Sequence, residues 1–469
     1  MSYAKRSLCL QLSIFIMIKS PLFNLTIHQK IFAIAFPMMI SNISVPLLGL
    51  VDTAVIGHMP ESYYLAGVAV GSMIVTLIFW MLGFLRMSTT GLVAQAYGAG
   101  DHQQIIRLLL QAILVALLLA IAILLLQKPL IILALKFIEG SEQVLFYAQL
   151  YFNIRIWSAP AALINMALLG WLLGMQNAKV PMFLLIISNA INIGLDVLFV
   201  VFLDWGVAGV AWASLFADYI SLLCGLLLVK NHIKPFYKQG DLLKLSKQLS
   251  DLNSLKKFIL LNRDIFIRTL CIQVTFAFMT IQGVKLGDAV VSANLVLMHF
   301  LLLISFSMDG LAYAAEALVG KSIGTRCLIK LKESVYVTLF WSVIFSLLQL
   351  LLFYVYGQWI IAQITSIESV QKEALSYLPW LVIIPITSVL GFIFDGIFIG
   401  MTRAKEMRNS LIFSLLLVYF PVWFLFSEQG NHALWIAMNA FMLARGLSLA
   451  WIYRQLSKKD QLIPKELKR

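Results

Sequence analysis

The sequence predicts an all-α, polytopic membrane protein, with twelve transmembrane helices in two pseudo-symmetric six-helix bundles. Three observations carry that prediction. Of 469 residues, 61% are hydrophobic and only 12% are charged, with a mean hydropathy of +0.91, whereas a soluble domain carries about 25% charged residues. Apolar runs of about 20 residues, the length that crosses the hydrocarbon core, recur along nearly the whole chain. A set of short motifs also recurs at a constant offset of 226 residues.

The spans are bounded by charges and by Gly/Pro punctuation. In order they are 30–56, 63–93, 104–127, 143–172, 181–203, 207–229, 264–286, 289–319, 333–356, 373–400, 409–427 and 433–453. The chain therefore divides into an N-terminal extension (1–28), a first six-helix lobe (29–229), a charged linker (230–262), a second lobe (263–455) and a tail (456–469). Residues 8–18 of the extension are apolar but too short to span, and no small-residue cleavage site follows them. Either Met17 is the physiological start or this stretch lies at the membrane interface ahead of the first span.

The basic residues set the orientation. With residues near a span end counted to the adjoining side, 28 of the 35 Lys and Arg fall on one side of this arrangement, 4 on the other and 3 deep within spans (Arg86, Arg155, Arg445). By the positive-inside rule the rich side is cytoplasmic, which places both termini and the 230–262 linker inside. This alternation between loops, rather than a continuous basic face, explains the net charge of +13 without nucleic acid. The linker's lysines suit anionic lipid headgroups.

The repeat covers several spans in one register. Gly174-Met175 with Ala178-Lys179 matches Gly400-Met401 with Ala404-Lys405, Gly98 matches Gly324, and Leu92-Val93 matches Leu318-Val319. Six spans return the chain to the same side, so the repeat is parallel, about an axis along the membrane normal. Pro37, Pro46, Pro160 and Pro385 provide points at which helices can bend.

Six acids fall inside spans, clear of their first and last residues: Asp52, Asp196, Asp218, Asp309, Glu316 and Asp395. A carboxylate at mid-membrane costs roughly 2.5–3.5 kcal/mol on insertion scales, so each needs a partner, a proton or a water-filled cavity. Asn189, Asn192 and Asp196 lie at i, i+3 and i+7, on one helix face, while Ser214 and Asp218 are four apart on the next span. Such oxygens suit Na⁺ or a proton relay, or else simply bond one another between helices. Asp309 and Asp395 are further candidates; Glu316 is expected to pair with Lys321 or reach water. Arg86 either serves as a counter-ion or snorkels to the membrane surface. The 18 Met and 31 Phe offer thioether and aromatic surface for hydrophobic cations.

Other chemistries have no support. The six histidines have no metal-ligand spacing, and His299, deep in a span, reads as a hydrogen-bonded packing residue. Cys9, Cys224, Cys271 and Cys327 show no CxxC spacing, and no P-loop, GxSxG or HExxH motif occurs. No cofactor is expected and no metal beyond Na⁺ at a coupling site; the expected partners are small hydrophobic or cationic molecules and membrane lipids, and the expected state is a monomer.

With these residues in view, the chain resembles the multidrug and toxic compound extrusion (MATE) family, in particular its DNA-damage-inducible (DinF) branch. The resemblance rests on Val51-Asp52-Thr53-Ala54-Val55-Ile56-Gly57-His58, on Phe84-Leu85-Arg86-Met87-Ser88-Thr89-Thr90-Gly91 continuing to Gly98-Ala99-Gly100-Asp101, and on Asp395-Gly396-Ile397-Phe398-Ile399-Gly400-Met401 with Arg403-Ala404-Lys405. It implies efflux of hydrophobic, often cationic compounds in exchange for H⁺ or Na⁺ across a bacterial inner membrane. It also implies that Asp52, Asn192, Asp196 and Ser214 meet as the cation site of the first lobe. Another branch places a carboxylate within the seventh helix, but here no acid lies between Asp264 and Asp288, so the first lobe is favoured. The rival readings are a lipid-linked precursor flippase, which needs a cationic cavity, a membrane-embedded enzyme, which needs a catalytic cluster, and a passive channel.

Overall fold

The structure, a computed structural model, describes residues 24–57, 61–138, 140–234 and 252–463. The proposed start at Met17, Cys9, His58, most of the charged linker and the last six residues lie outside the described residues, as do a few side chains within helices, among them those of Pro46 and Asp52.

Every described element is helical. In chain order they are α1 (Leu25–Gly57), α2 (Ser62–Met81), α3 (Phe84–Ala99), α4 (His102–Lys136), α5 (Glu142–Arg155), α6 (Ala159–Gly174), α7 (Lys179–Asp196) and α8 (Gly206–Ile233). Then follow α9 (Leu252–Leu286), α10 (Asp288–Gly324), α11 (Leu328–Ile364), α12 (Glu368–Gly400), α13 (Ala404–Phe413), α14 (Phe420–Leu425) and α15 (Asn431–Lys458). Among the described residues these supply 11 stretches long and apolar enough to cross a membrane. The 33-residue α1 completes the twelve spans.

Apolar residues such as Leu118, Leu125 and Leu133 on α4, or Leu351 and Tyr354 on α11, stand more than half exposed. Aliphatic and aromatic surface of that kind is stable against lipid tails, and a helix satisfies its own backbone there.

Several spans are not the uninterrupted helices that apolar length alone suggests. The second breaks at Leu82-Gly83 between α2 and α3. The fourth passes through a 3₁₀ turn, Ile156–Ser158, between α5 and α6, with Pro160 in the first turn of α6, where its missing N–H costs nothing. Its counterpart Pro385 lies inside the continuous α12. The fifth and eleventh spans each contain a π-helical segment, Val197–Phe202 and Ser414–Tyr419.

The chain forms two compact units. One comprises Pro37–Leu270 with Thr402–Arg408; the other holds residues through Phe36, Cys271–Met401 and residues from Asn409 onward. In the first, α2 packs on α5, α3 on α6, α4 on α6, and α7 on α8. Its core includes Leu85, Phe152, Trp171 and Leu163, and also takes Ile265 from α9. In the second, α12 packs on α10, α11 and α15. There the first turns of α1 belong with α11: Trp341 donates from Nε1 to His28 Nδ1 at 2.9 Å and lies edge-on to Phe32.

The 226-residue repeat is visible as geometry inside each unit. A Cβ built on Gly170 would stand 2.5 Å from the Arg86 carbonyl oxygen, and one on Gly174 would stand 2.9 Å from that of Thr90. The equivalent Gly396 and Gly400 crowd the carbonyls of Ala312 and Glu316 in the same way. In each unit the second and fourth spans thus touch backbone to backbone, a contact that only small residues permit. Three left-handed turn positions also recur at this offset: Gly100 and Arg326, Gln176 and Thr402, and Asp204 and Gly430.

Candidate functional site

The polar face expected on the fifth span forms as a face of α7. Asn189 and Asn192 have partners on two other helices, and Asp196 is bonded by Asn192 within α7. Asn189 Nδ2 donates to Ser44 Oγ on α1 at 2.8 Å. Asn192 turns toward α8. With its amide nitrogen toward Asp196, it donates to Asp196 Oδ2 at 2.7 Å, and its oxygen accepts from the Ser214 N–H at 3.1 Å and hydroxyl at 2.9 Å. The opposite orientation points the nitrogen at the Ser214 hydroxyl, also at 2.9 Å. The first is adopted, since it gives the carboxylate a donor and the amide oxygen an acceptor role. Asp196 is fully buried, and Asn192 and Ser214 are only 3% and 6% exposed.

Carboxylate, amide and hydroxyl thus meet in a dry interior, at the last residue of α7 before its π-helical segment. A π turn holds an extra residue and often marks a functional position. Asp52 lies on α1, but its side chain is outside the described residues. Its level along the membrane still follows from register. α1 and α7 are the first and fifth spans and run the same way; from the Ser44–Asn189 bond, seven residues along α7 reach Asp196 and eight along α1 reach Asp52. At about 1.5 Å per residue, both advance about 11–12 Å.

Two of the secondary candidates, Asp218 and Asp395, each form an ion pair. Asp218 Oδ2 accepts from Arg155 Nη1 at 2.6 Å, joining α8 to the end of α5. The same Nη1 meets the Ser158 hydroxyl, and Asn165 Nδ2 donates to the Asp218 carbonyl at 3.1 Å. This pair borders a cavity of about 260 Å³ walled by Phe79, Met166, Leu169 and Leu184.

Asp395 on α12 pairs with Arg445 on α15. Both are buried, with side chains 6% and 3% exposed. In each unit the fourth span is therefore tied to the sixth by one ion pair, with the charges exchanged: base to acid in one, acid to base in the other. Asp309 is half-buried on α10 and Arg86 half-buried on α3. Glu316, expected to pair with Lys321 or reach water, is 1% exposed and so does not reach water. His299, expected as a packing residue, lies exposed on α10.

The partners Arg155, Arg445 and Ser44 were not singled out for these contacts from sequence. The only signal was that arginines within spans are rare and must answer to acids. Among the described residues, no group of three His, Cys, Asp or Glu could hold a metal ion. Cys224, Cys271 and Cys327 are free thiols.

Twelve spans in two like bundles, with buried acids and an intramembrane cavity, define a secondary-transporter fold rather than an enzyme. The MatE family model matches residues 37–198 and 265–425, one segment in each half. The chain belongs to the MATE family of transporters. It is 44% identical over 448 residues to DNA damage-inducible protein F of Escherichia coli (strain K12), covering 94% of this chain and 95% of that protein. It is 23% identical over 387 residues to the probable multidrug resistance protein NorM of Bacillus cereus, covering 81% and 83%. Its fold superposes on a MATE transporter crystallised in a bent conformation with a TM-score of 0.83, at 19% identity, covering 93% and 97%.

Proposed function

We propose that this chain is a multidrug efflux antiporter of a bacterial inner membrane, exporting hydrophobic, often cationic compounds in exchange for H⁺ or Na⁺. Asp52, Asn192, Asp196 and Ser214 form its coupling site. The observation that supports this best is the Asn192 amide bridging a fully buried Asp196 to Ser214. The amide lends Asp196 a hydrogen bond but no positive charge. A carboxylate at that depth is costly, so taking a proton or a hard cation and releasing it is the favoured chemistry. Ser214 and Asn192 oxygens complete a ligand set for Na⁺ of the all-oxygen kind hard cations prefer, and the register of α1 brings Asp52 to the same level. The compounds carried are those that thioether and aromatic walls accept, and the 28-to-4 basic bias places both termini in the cytoplasm.

The flippase reading is disfavoured by the ion pairs. Arg155 and Arg445 are already matched to Asp218 and Asp395, so they offer no cationic cavity to a pyrophosphate.

Coupling is tested in proteoliposomes with a cationic dye under separately imposed proton and sodium gradients. Asp52→Asn and Asp196→Asn keep side-chain size and remove charge. Both are expected to retain dye binding and lose gradient-driven efflux, whereas Asp309→Asn has a smaller effect. Wild-type efflux in both first-bundle variants, with loss in Asp309→Asn, would show that coupling runs through the other bundle.

A further inference from the structure

The turn between α10 and α11 repeats the turn between α3 and α4 in chain position but not in charge. At the 226-residue offset, residues 95–107 match residues 321–333. The first stretch carries Asp101 and Arg107, a net charge of zero with His102 neutral. The second carries Lys321, Arg326, Lys330 and Lys332 against Glu333, a net charge of +3. Asp101 also caps α4, accepting from the Gln104 N–H at 2.9 Å, whereas its counterpart Cys327 gives α11 no side-chain cap. The first half builds its turn without these cations, so the fold does not require them. Orientation in the membrane needs basic residues in an inner loop, but not gathered at one point.

Here they are gathered, from three helices of the second unit. Only residues 325–327 join α10 to α11, which sets Lys321, in the last turn of α10, beside Lys330, in the first turn of α11. α1 adds Lys30, because its first turns are held on α11 where His28 and Phe32 meet Trp341. Lys30 and Lys330 stand exposed, and half-buried Lys321 lies within electrostatic reach of both. Like charges brought together repel, and an anion placed among them removes that cost. An apolar stripe leads away from the same end of α11. Tyr336, Phe340, Val343 and Leu347 follow Lys332 at helical spacing, so all five share one face, and the four apolar members are exposed.

We propose that Lys30, Lys321 and Lys330 form the headgroup site of an anionic phospholipid, with its phosphate among the lysines and an acyl chain along the α11 stripe. A lysine ammonium is a point charge with three donors that can follow the oxygens of a phosphate. Basic residues beside a span draw anionic lipids of the cytoplasmic leaflet, and the basic bias of the loops sets this end of α11 on that side. A zwitterionic headgroup brings its own ammonium into the cluster and loses the advantage. Free phosphate answers the charge but has no tail to lay on the stripe. The assignment depends neither on the ion that drives transport nor on the compounds exported.

Purified full-length protein in a neutral detergent is titrated with dioleoyl phosphatidylglycerol, with dioleoyl phosphatidylethanolamine and with inorganic phosphate, and the bound species are resolved by native mass spectrometry. The first phosphatidylglycerol should bind about tenfold tighter or more than the first phosphatidylethanolamine, and excess inorganic phosphate should not displace it. Lys321→Gln/Lys330→Gln, which copies Gln95 and Gln104 of the first half, should erase the preference. Lys230→Gln/Lys256→Gln removes two basic charges from the first unit and should leave it intact. Equal binding of the two lipids by the unmodified protein overturns the proposal, and that comparison stands even if a variant fails to fold. So does a preference that survives Lys321→Gln/Lys330→Gln, or one that falls equally in both double variants, which would make it an effect of net charge alone. Displacement of the lipid by inorganic phosphate would also overturn it, leaving an anion site with no lipid.

Discussion

Asp395 poses the sharpest stability question, because an acid in a span reads equally as a transport residue or as half of a structural pair. Asp395 and Arg445 are 4% and 2% exposed. Replacing Asp395 with Leu removes the carboxylate that pairs with Arg445 and leaves the buried guanidinium without it. Breaking one side of a buried pair costs about 3–5 kcal/mol, a hundredfold or more in the folded ratio at 1.4 kcal/mol per decade. Asp395→Asn should fall at or below the lower end, since its amide oxygen still accepts a hydrogen bond. The double variant Asp395→Leu/Arg445→Met removes both charges, and well-packed apolar replacements of a buried pair are often neutral or better. It should therefore recover to within about 1 kcal/mol of the unmodified protein, and the cycle should give a coupling energy of about 3 kcal/mol or more. Thermal melting of the detergent-solubilised unmodified protein, of Asp395→Leu, Arg445→Met and Asp395→Asn, and of the double variant, alongside dye efflux, reads both quantities. Single variants that melt normally yet lose efflux would refute the reasoning and make Asp395 a transport group; a double variant as unstable as the singles would refute the pairing argument.

Two further outcomes follow from other parts of the molecule. Gly170→Ala puts a Cβ 2.5 Å from the Arg86 carbonyl oxygen, backbone that cannot swing aside, and should destabilise by about 1–3 kcal/mol. Gly194→Ala, with nothing within 4 Å of the new atom, should stabilise by about 0.5–1 kcal/mol through helix propensity; melting curves in which the two share a sign would contradict the packing. In a cysteine-free background, Gly240→Cys should be protected from an impermeant thiol reagent applied outside intact cells, whereas external labelling there would invert the proposed topology.

What could be read from sequence was what is local. Twelve apolar runs become spans because a membrane leaves a chain little other choice, and the α7 face of Asn189, Asn192 and Asp196 follows from helical period alone. Contacts between helices were not legible. Arg155 and Asp218 are 63 residues apart and Asp395 and Arg445 are 50 apart, so each pair exists only once the helices have docked. The approach of Gly170 to the Arg86 carbonyl is of the same kind, although the 226-residue offset had already marked its neighbour Gly174. The π segment after Asp196 left no trace either, because Val197–Phe202 is as apolar as any ordinary helical turn. His299 misled for a related reason: depth in a span was taken as depth in the protein, but a helix in lipid has an outward side at every depth.

The left-handed turn positions make the two halves a natural experiment, in which one backbone problem has been solved twice with different materials. After the second span, Gly100 takes the left-handed conformation at almost no cost, whereas its counterpart Arg326 holds a φ of 56° with a full side chain. Before the sixth span the assignment reverses, with Asp204 at 55° and Gly430 at 60°. An L-residue in that region costs about 1–2 kcal/mol relative to its right-handed form, and glycine escapes most of it. At these two turns each half therefore carries one strained position and one relaxed one, in opposite places, while the third pair, Gln176 and Thr402, is non-glycine in both halves. The chain contains its own control: the residue that would ease a turn in one half already occupies the matching turn in the other.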